Sequence, residues 1–388
     1  MLWLSFLGLG MIFIVGLVYI LYFFLVLRNR KAIGSFQEEL FSCQNSQSGL
    51  DFVSFIVSTF NEAKVIGRKL ENIAELDYPL DKLEVLVIDD ASTDGSADIA
   101  EKKIREFNLN GRVIKNPNRL GLNRSLNKVM KEAKHNLVCI SDSDVILKKN
   151  ALKNAVNVLT GFEDAGGVTG KLQPFFEDEG LAQRNESVYR EQYDKSMLSE
   201  SSLHSCFPGN GTLMVFDKSR VPFSIPTDYG ASDANIAMNV IKSGLRFLYV
   251  PSAEIIEHVP ENVKEQRMQK IRRAKRLIQV FLHNLDVLRN KKYGNFGRIV
   301  FPLKLIMVTI CPTLLFSGIT LFVASVLLSQ NLGLYIFSSF TFLFIALILS
   351  VRQIRSNVAS FFFHNFYLIF GLIASFRKSV YWNTIERK

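Results

Sequence analysis

Residues 1–27, MLWLSFLGLGMIFIVGLVYILYFFLVL, contain no Asp, Glu, Lys or Arg. At ~1.5 Å rise per residue, a helix of this length exceeds the ~30 Å hydrocarbon core of a bilayer. A cleaved secretory signal would carry basic residues before a shorter apolar run and a small-residue cleavage site after it. Here Arg28, Arg30 and Lys31 follow the run, which predicts an uncleaved transmembrane signal anchor over 1–27. Leu305 to Val351 is free of formal charge for 47 residues, enough for two crossings with a break near Gln330-Asn331-Leu332-Gly333. A third run, Ser356 to Phe376, is uncharged but carries Asn357, His364 and Asn365; it either crosses or re-enters. A C-terminal membrane region of two or three hydrophobic segments is therefore expected over 299–376.

Basic flanks orient such spans. Arg28, Arg30 and Lys31 follow the first, Arg289, Lys291, Lys292 and Arg298 precede the second, and Arg352 and Arg355 follow the third. The expectation is a multi-pass protein of the cell membrane whose middle region is cytoplasmic. Arg377, Lys378, Arg387 and Lys388 also favour the inside, where a full fourth crossing would not leave them.

The formal charge of +10 has one main source, since residues 264–298 hold eleven Lys or Arg against Glu265 and Asp286. Nucleic-acid binding would need base-reading or stacking groups among those charges; beside a membrane span, anionic lipid headgroups are the expected partner. Met268, Ile271, Ile278, Leu282 and Leu285 recur there at helical spacing, as in a basic amphipathic helix lying at the membrane interface. Cys43, Cys139, Cys206 and Cys311 have no paired spacing, so neither a disulfide framework nor a zinc site is implied.

Between these membrane segments, residues 32–263 alternate strand and helix patterns. FVSFIVS (52–58), Leu83 to Ile88, Val113-Ile114 and Asn136 to Ile140 read as strands. Ile66, Leu70 and Ile73, then Leu122, Leu126, Val129 and Ala133, read as helix faces. This predicts an α/β fold, a mostly parallel sheet with helices on both faces. Such sheets bind ligands at the carboxyl ends of their strands. The acids stand there: Asn61-Glu62, Asp89-Asp90 and Asp142-Ser143-Asp144. One such pair is explained by helix capping, as is Ser92-Thr93-Asp94-Gly95-Ser96; three sets at three strand ends are not.

In this order, Ser58-Thr59-Phe60-Asn61-Glu62, Val87-Ile88-Asp89-Asp90-Ala91-Ser92-Thr93-Asp94-Gly95-Ser96 and Asp142-Ser143-Asp144 closely resemble the family 2 nucleotide-sugar glycosyltransferases. The resemblance covers roughly residues 52–275 and includes the Asp77-Tyr78-Pro79 step. It implies a Rossmann-like GT-A domain in which Thr59, Glu62, Asp90 and Asp142 contact the nucleotide. Asp144, with Asp142, would hold Mg²⁺ or Mn²⁺. Asn127 matches a donor-side position. Leu122 stands where many relatives have lysine, so pyrophosphate contact falls to Arg119 or Arg124, unless both are merely exposed helix charges. Pro208-Gly209-Asn210-Gly211-Thr212 resembles the loop that shapes the donor-sugar and acceptor entrance. Asp233 matches the general base of an acidic pair whose other member is Ser232 here, or else caps the helix through Ile236 and Val240. His258 is a third metal ligand or a surface histidine. Gln269 and Arg272 match a Gln-x-x-Arg-Trp motif of processive members, with Arg273 in place of the tryptophan.

The resemblance thus implies an inverting glycosyltransferase that moves a sugar from a nucleoside-diphosphate donor, UDP-linked in the first instance, to a lipid-linked or polysaccharide acceptor. The alternatives are a processive polysaccharide synthase and an inactive nucleotide-binding membrane scaffold.

Overall fold

The computed structural model describes residues 2–45, 50–175, 181–258, 263–329, 332–333, 335–336, 338–339, 350 and 352–376. Most of the second half of the Leu305–Val351 run lies outside the described residues, as do the basic positions 377, 378, 387 and 388.

Helix α1 (Leu2–Tyr22) continues as a π turn over Phe23–Leu27 and is followed by α2 (Arg30–Asn45). The α/β core then runs β1 (Val53–Thr59), α3 (Ala63–Ala74), β2 (Leu83–Asp89), α4 (Ser96–Glu106), β3 (Gly111–Lys115), α5 (Leu122–Glu132) and β4 (Leu137–Asp142). These strands lie within two residues of the expected runs. The chain continues through β5 (Val145–Leu147), α6 (Ala151–Gly161), β6 (Ala165–Phe175), α7 (Leu181–Leu203), β7 (Met214–Asp217), α8 (Ser232–Lys242) and β8 (Arg246–His258). Helices α9 (Val263–His283), α10 (Phe301–Leu328) and α11 (Arg352–Ser375) complete it.

The eight strands form one sheet in the order β3-β2-β1-β4-β7-β6-β8-β5. The β3-β2-β1-β4 half is parallel; β7 runs antiparallel to both β4 and β6, β6 and β8 are parallel, and β5 is antiparallel to β8. Helices cover both faces, which is why the strands read as nearly unbroken apolar runs. Val53, Phe55 and Val57 point to one core with Ile66, Leu70 and Ile73 of α3. Ile56, Leu86 and Ile88 point to the other with Leu126 and Val129 of α5, Ile236 of α8 and Phe281 of α9. Each such fully buried side chain contributes about 1.5–3 kcal/mol.

Among the described residues, three helical segments are long and apolar enough to cross a membrane: Trp3–Leu27, Phe296–Leu328 and Asn357–Ser375. Two of them are closely paired. Ser5 and Ser325 share a hydrogen bond of 2.7 Å, and a Cβ on Gly8 would fall 2.6 Å from the Gly318 carbonyl. The start of α1 therefore meets the end of α10, and the two run antiparallel. Helix α11 packs against both, through Tyr19–Phe361 and Phe316–Phe366 ring contacts. It also packs on α9, where Arg267 lies over the rings of Phe366 and Phe370. The apolar stripe of α9 is divided: Ile278 is buried with Leu368, whereas Met268, Leu282 and Leu285 are exposed.

Candidate active site

Sheet register brings the three acidic strand ends together. Thr59 pairs with Asp89 across β1 and β2, and Ser58 pairs with Asp142 across β1 and β4. With strands ~4.8 Å apart, the ends of β2, β1 and β4 fall within about 10 Å. Two backbone positions here are left-handed, Asn61 (φ 53°) and Ala91 (φ 64°), where an alanine costs about 1–2 kcal/mol.

The two loops are laced to each other. Asn61 N–H donates to Ser92 Oγ (2.9 Å) and Thr93 N–H to Asn61 Oδ1 (2.9 Å); Glu62 N–H donates to Ser96 Oγ (2.8 Å) and Ala63 N–H to Asp94 Oδ2 (2.9 Å). Capping explains Asp94 and Ser96, and it serves two helices: Asp94 Oδ1 accepts from Ser96 N–H (3.0 Å) at the start of α4, while the bonds from Glu62 and Ala63 N–H cap the neighbour, α3. Burial of the Asp94 carboxyl acts to raise its pKa, yet the Ser96 hydroxyl and the Ala63 and Ser96 N–H groups hold it below its ordinary value.

Asp90 is the anchor of the next loop. Its Oδ1 accepts from Asn116 Nδ2, Leu120 N–H and Ser125 Oγ (2.9 Å each), and Oδ2 accepts from Gly121 N–H (2.8 Å). Asp90→Ala is therefore expected to strand four donors. Stability should fall by about 3 kcal/mol and nucleotide affinity should weaken as the 116–121 loop loosens; thermal unfolding with and without nucleotide checks both. Asn127 is likewise engaged, its Nδ2 donating to the Ile225 carbonyl (2.7 Å) and its Oδ1 accepting from Ile225 N–H (3.1 Å). Arg119 stacks on Phe60, with the guanidinium 3.9 Å from the ring centroid, which is not the pose of a free helix charge.

Beneath Asp142-Ser143-Asp144 lies Lys69, wholly buried. Its Nζ donates to Ser141 Oγ (2.7 Å) and to the Val145 carbonyl (3.1 Å). Burial lowers its pKa to about 7, opposed by Cys139, Asp142 and Asp144. Because the unfolded value is near 10.5, the unfolded chain binds more protons between these limits. Stability relative to Lys69→Met should thus rise as pH increases from about 7 towards 10, as melting temperatures of the two proteins over that range would show. Lys69 is absent from the sequence-based candidates, although its spacing from Ile66, Leu70 and Ile73 puts it on the inward face of α3.

The 208–212 loop joins this centre to Asp233. Ser141 Oγ donates to the Thr212 carbonyl (2.6 Å), and a Cβ on Gly211 would come within 3.3 Å of Asp233 Cβ. Asn210 is tied down by Thr169 and by the Gly170 carbonyl (2.7 Å), and Gly209 faces the Phe247 ring. Three buried oxygens around the centre have no hydrogen-bond partner: Thr59 Oγ1, Asp89 Oδ1 and Thr212 Oγ1. Such orphans are costly unless a polar ligand meets them.

Asp233 lies in the first turn of α8, whose N-cap is Ala231; its Oδ1 accepts only from the adjacent Ala234 N–H (2.7 Å) among the described bonds. Burial raises its pKa, against the lowering pull of that N–H, Arg273 and Arg276. Both arginines are on α9, with Gln269 one turn before Arg273 and half-buried Arg272 one turn before Arg276. Arg273 and Arg190 each reach Glu257 at 3.5 Å. His258 ends β8, and its side chain lies outside the described residues. Strand β5, which follows Asp142-Ser143-Asp144, pairs antiparallel with β8 through Val145↔Glu257 and Ile146↔Ile256. Among the described residues no three His, Cys, Asp or Glu side chains form a group able to hold a metal.

The sequence profile of Glycosyl transferase family 2 matches residues 54–219, and that of Glycosyl transferase family group 2 matches 137–374, more than half of the chain. Probable glycosyltransferase YdaM of Bacillus subtilis is 30% identical over 141 residues, 36% of this chain and 34% of that protein. Poly-beta-1,6-N-acetyl-D-glucosamine synthase of Staphylococcus aureus is 25% identical over 247 residues, 63% of this chain and 59% of that one. The chain thus spans only part of the length of these curated relatives. The solved structure of mannosyltransferase PcManGT from Pyrobaculum calidifontis, in complex with GDP-Man and Mn²⁺, superposes with a TM-score of 0.75 at 23% identity, covering 96% of this chain and 99% of that one. Strand order, helices on both faces and the profile matches agree, and the chain belongs to the family 2 glycosyltransferases, with a GT-A-like fold.

Proposed function

We propose that this glycosyltransferase moves a sugar, with inversion, from a nucleoside-diphosphate donor to a lipid-linked or glycan acceptor at the cytoplasmic face of the cell membrane. The observation that carries the reading is the 208–212 loop. It is bonded to Ser141 beside Asp142 at one end and abuts Asp233 through Gly211 at the other. One loop thus stands between candidate diphosphate-side acids and a candidate base.

In this reading Thr59, Glu62, Asp89 and the Phe60–Arg119 stack form the nucleoside side. Asp90 holds the neighbouring loop in place, and Asn127 fixes the segment at Ile225. Asp142 and Asp144 supply carboxylate oxygens, the hard donors that Mg²⁺ and Mn²⁺ prefer, and His258, at the end of β8, is the candidate third ligand. A divalent cation bound there would neutralise charge developing on the departing diphosphate. Asp233 takes the proton of the acceptor hydroxyl as it attacks opposite the diphosphate, and burial, by raising its pKa, makes it a stronger base than an exposed carboxylate. Gln269 and Arg272 on α9 border the acceptor side.

A second reading, a processive polysaccharide synthase, is favoured by the similarity to the staphylococcal synthase over 63% of this chain. Arg273 in place of an aromatic residue argues for simple transfer. The test is nucleotide release by the purified protein in nanodiscs across UDP- and GDP-sugars, with Mn²⁺ or EDTA, followed by product sizing. One donor should be consumed only with metal, giving a single added sugar. A ladder of chains supports the second reading, and turnover in EDTA refutes the metal assignment.

A further inference from the structure

Away from the acids, one side chain ties the paired membrane helices to the 208–212 loop. Glu200 of α7 is wholly buried. Its Oε1 accepts from the Tyr22 hydroxyl at the end of α1 and lies 2.6 Å from Lys304 Nζ in α10. Its Oε2 accepts from Phe207 N–H at 3.0 Å. Lys304 Nζ also donates to the Phe207 carbonyl, so both backbone polar groups of Phe207 are held. Phe207 immediately precedes Pro208-Gly209-Asn210-Gly211, and its ring packs against Phe281 of α9 and Phe296 at the entry to α10.

We propose that Tyr22, Lys304 and Glu200 are positioning residues through which the seating of α1 against α10 sets the 208–212 loop against Asp233. The membrane helices then do more than tether. The chemistry supports this in two ways. A buried carboxylate is stable only while its partners hold their places, so a shift of either helix is felt at Glu200. Glu200 and Lys304 in turn grip Phe207 from both sides, and the next four residues reach Gly211, where even an added methyl group would crowd Asp233. The α1–α10 seam is equally close-fitting at Gly8 and Gly318, where a larger side chain must part the helices. The inference rests on the reading of the 208–212 loop and Asp233 as the transfer site.

The experiment compares Tyr22→Phe, Glu200→Gln and Gly8→Val with the full-length wild type in nanodiscs. Amide hydrogen exchange over 205–212, donor-nucleotide affinity and sugar transfer are read together. Tyr22→Phe removes one hydroxyl without leaving a buried charge, and so keeps the test open if Glu200→Gln fails to fold. Exchange over 205–212 should accelerate by roughly tenfold and transfer should fall about fivefold, with nucleotide affinity unchanged. Gly8→Val, far from the loop, should act in the same direction, and its effect should shrink when combined with Tyr22→Phe. Unchanged exchange over 205–212 in folded Tyr22→Phe and Gly8→Val overturns the proposal. A uniform loss of protection throughout the core, with nucleotide affinity falling too, also overturns it. If no sugar transfer occurs even in the wild type, the functional reading fails separately, while the exchange result still decides whether the helices position the loop.

Discussion

Asp233→Asn is expected to lower kcat for sugar transfer by about 10²–10⁴-fold, the range that a positioned general base supplies, with nucleotide-sugar affinity nearly unchanged. The substitution keeps the shape of the side chain and its acceptor oxygen towards Ala234 N–H, so the first turn of α8 should persist. What disappears is the proton acceptor. The pH profile gives an independent check. Burial raises the Asp233 pKa while Arg273 and Arg276 pull it down, and the base works only when ionised. Transfer should therefore rise with pH through a pKa above the ordinary carboxylate value. Removing a cation with Arg276→Met should move that limb to higher pH, and Asp233→Asn should abolish it. An unaltered limb in Arg276→Met would show that another group is titrating.

Asp144→Asn should be as severe. Loss of one carboxylate donor weakens metal binding and with it the neutralisation of the leaving diphosphate, an effect of several kcal/mol. At 1.36 kcal/mol per tenfold, ~4 kcal/mol corresponds to about 10³ in rate. Raising Mn²⁺ should recover part of the lost rate in Asp144→Asn if affinity is the main defect. Initial rates over a metal titration would show this, and a rate that stays at the wild-type level without extra metal would remove Asp144 from the site.

The parallel half of the sheet and its acids were legible because each acid follows a run of β-branched residues at the end of a strand. The antiparallel half was not: β7 has four residues and β5 three, too short for periodicity to declare a direction. Local sequence reaches less far into the loops. Asp90 and Asn127 read as ligand-side positions, and nothing in the neighbouring sequence announces the backbone groups of Leu120, Gly121 and Ile225 that they also hold. Asp94 caps the helix that follows it, as the sequence indicates, but with Ser96 it also serves α3, because the tertiary fold brings the two loops side by side. Arg276 and Glu200 lie in helices whose composition is mainly polar, so no pattern separates a buried charge there from a solvated one. Lys69 was missed too, though its position among the apolar residues of α3 carried a signal.

The most direct test is a structure determined in nanodiscs with Mn²⁺ and a non-transferable analogue of the preferred donor, the metal located by anomalous scattering or difference density. The ion should lie between the diphosphate and the carboxylates of Asp142 and Asp144, with an Asp233 oxygen about 2.6–3.2 Å from an acceptor hydroxyl or water on the face of the anomeric carbon opposite the diphosphate. An ion bound elsewhere, or Asp233 on the same side as the diphosphate, would contradict this arrangement.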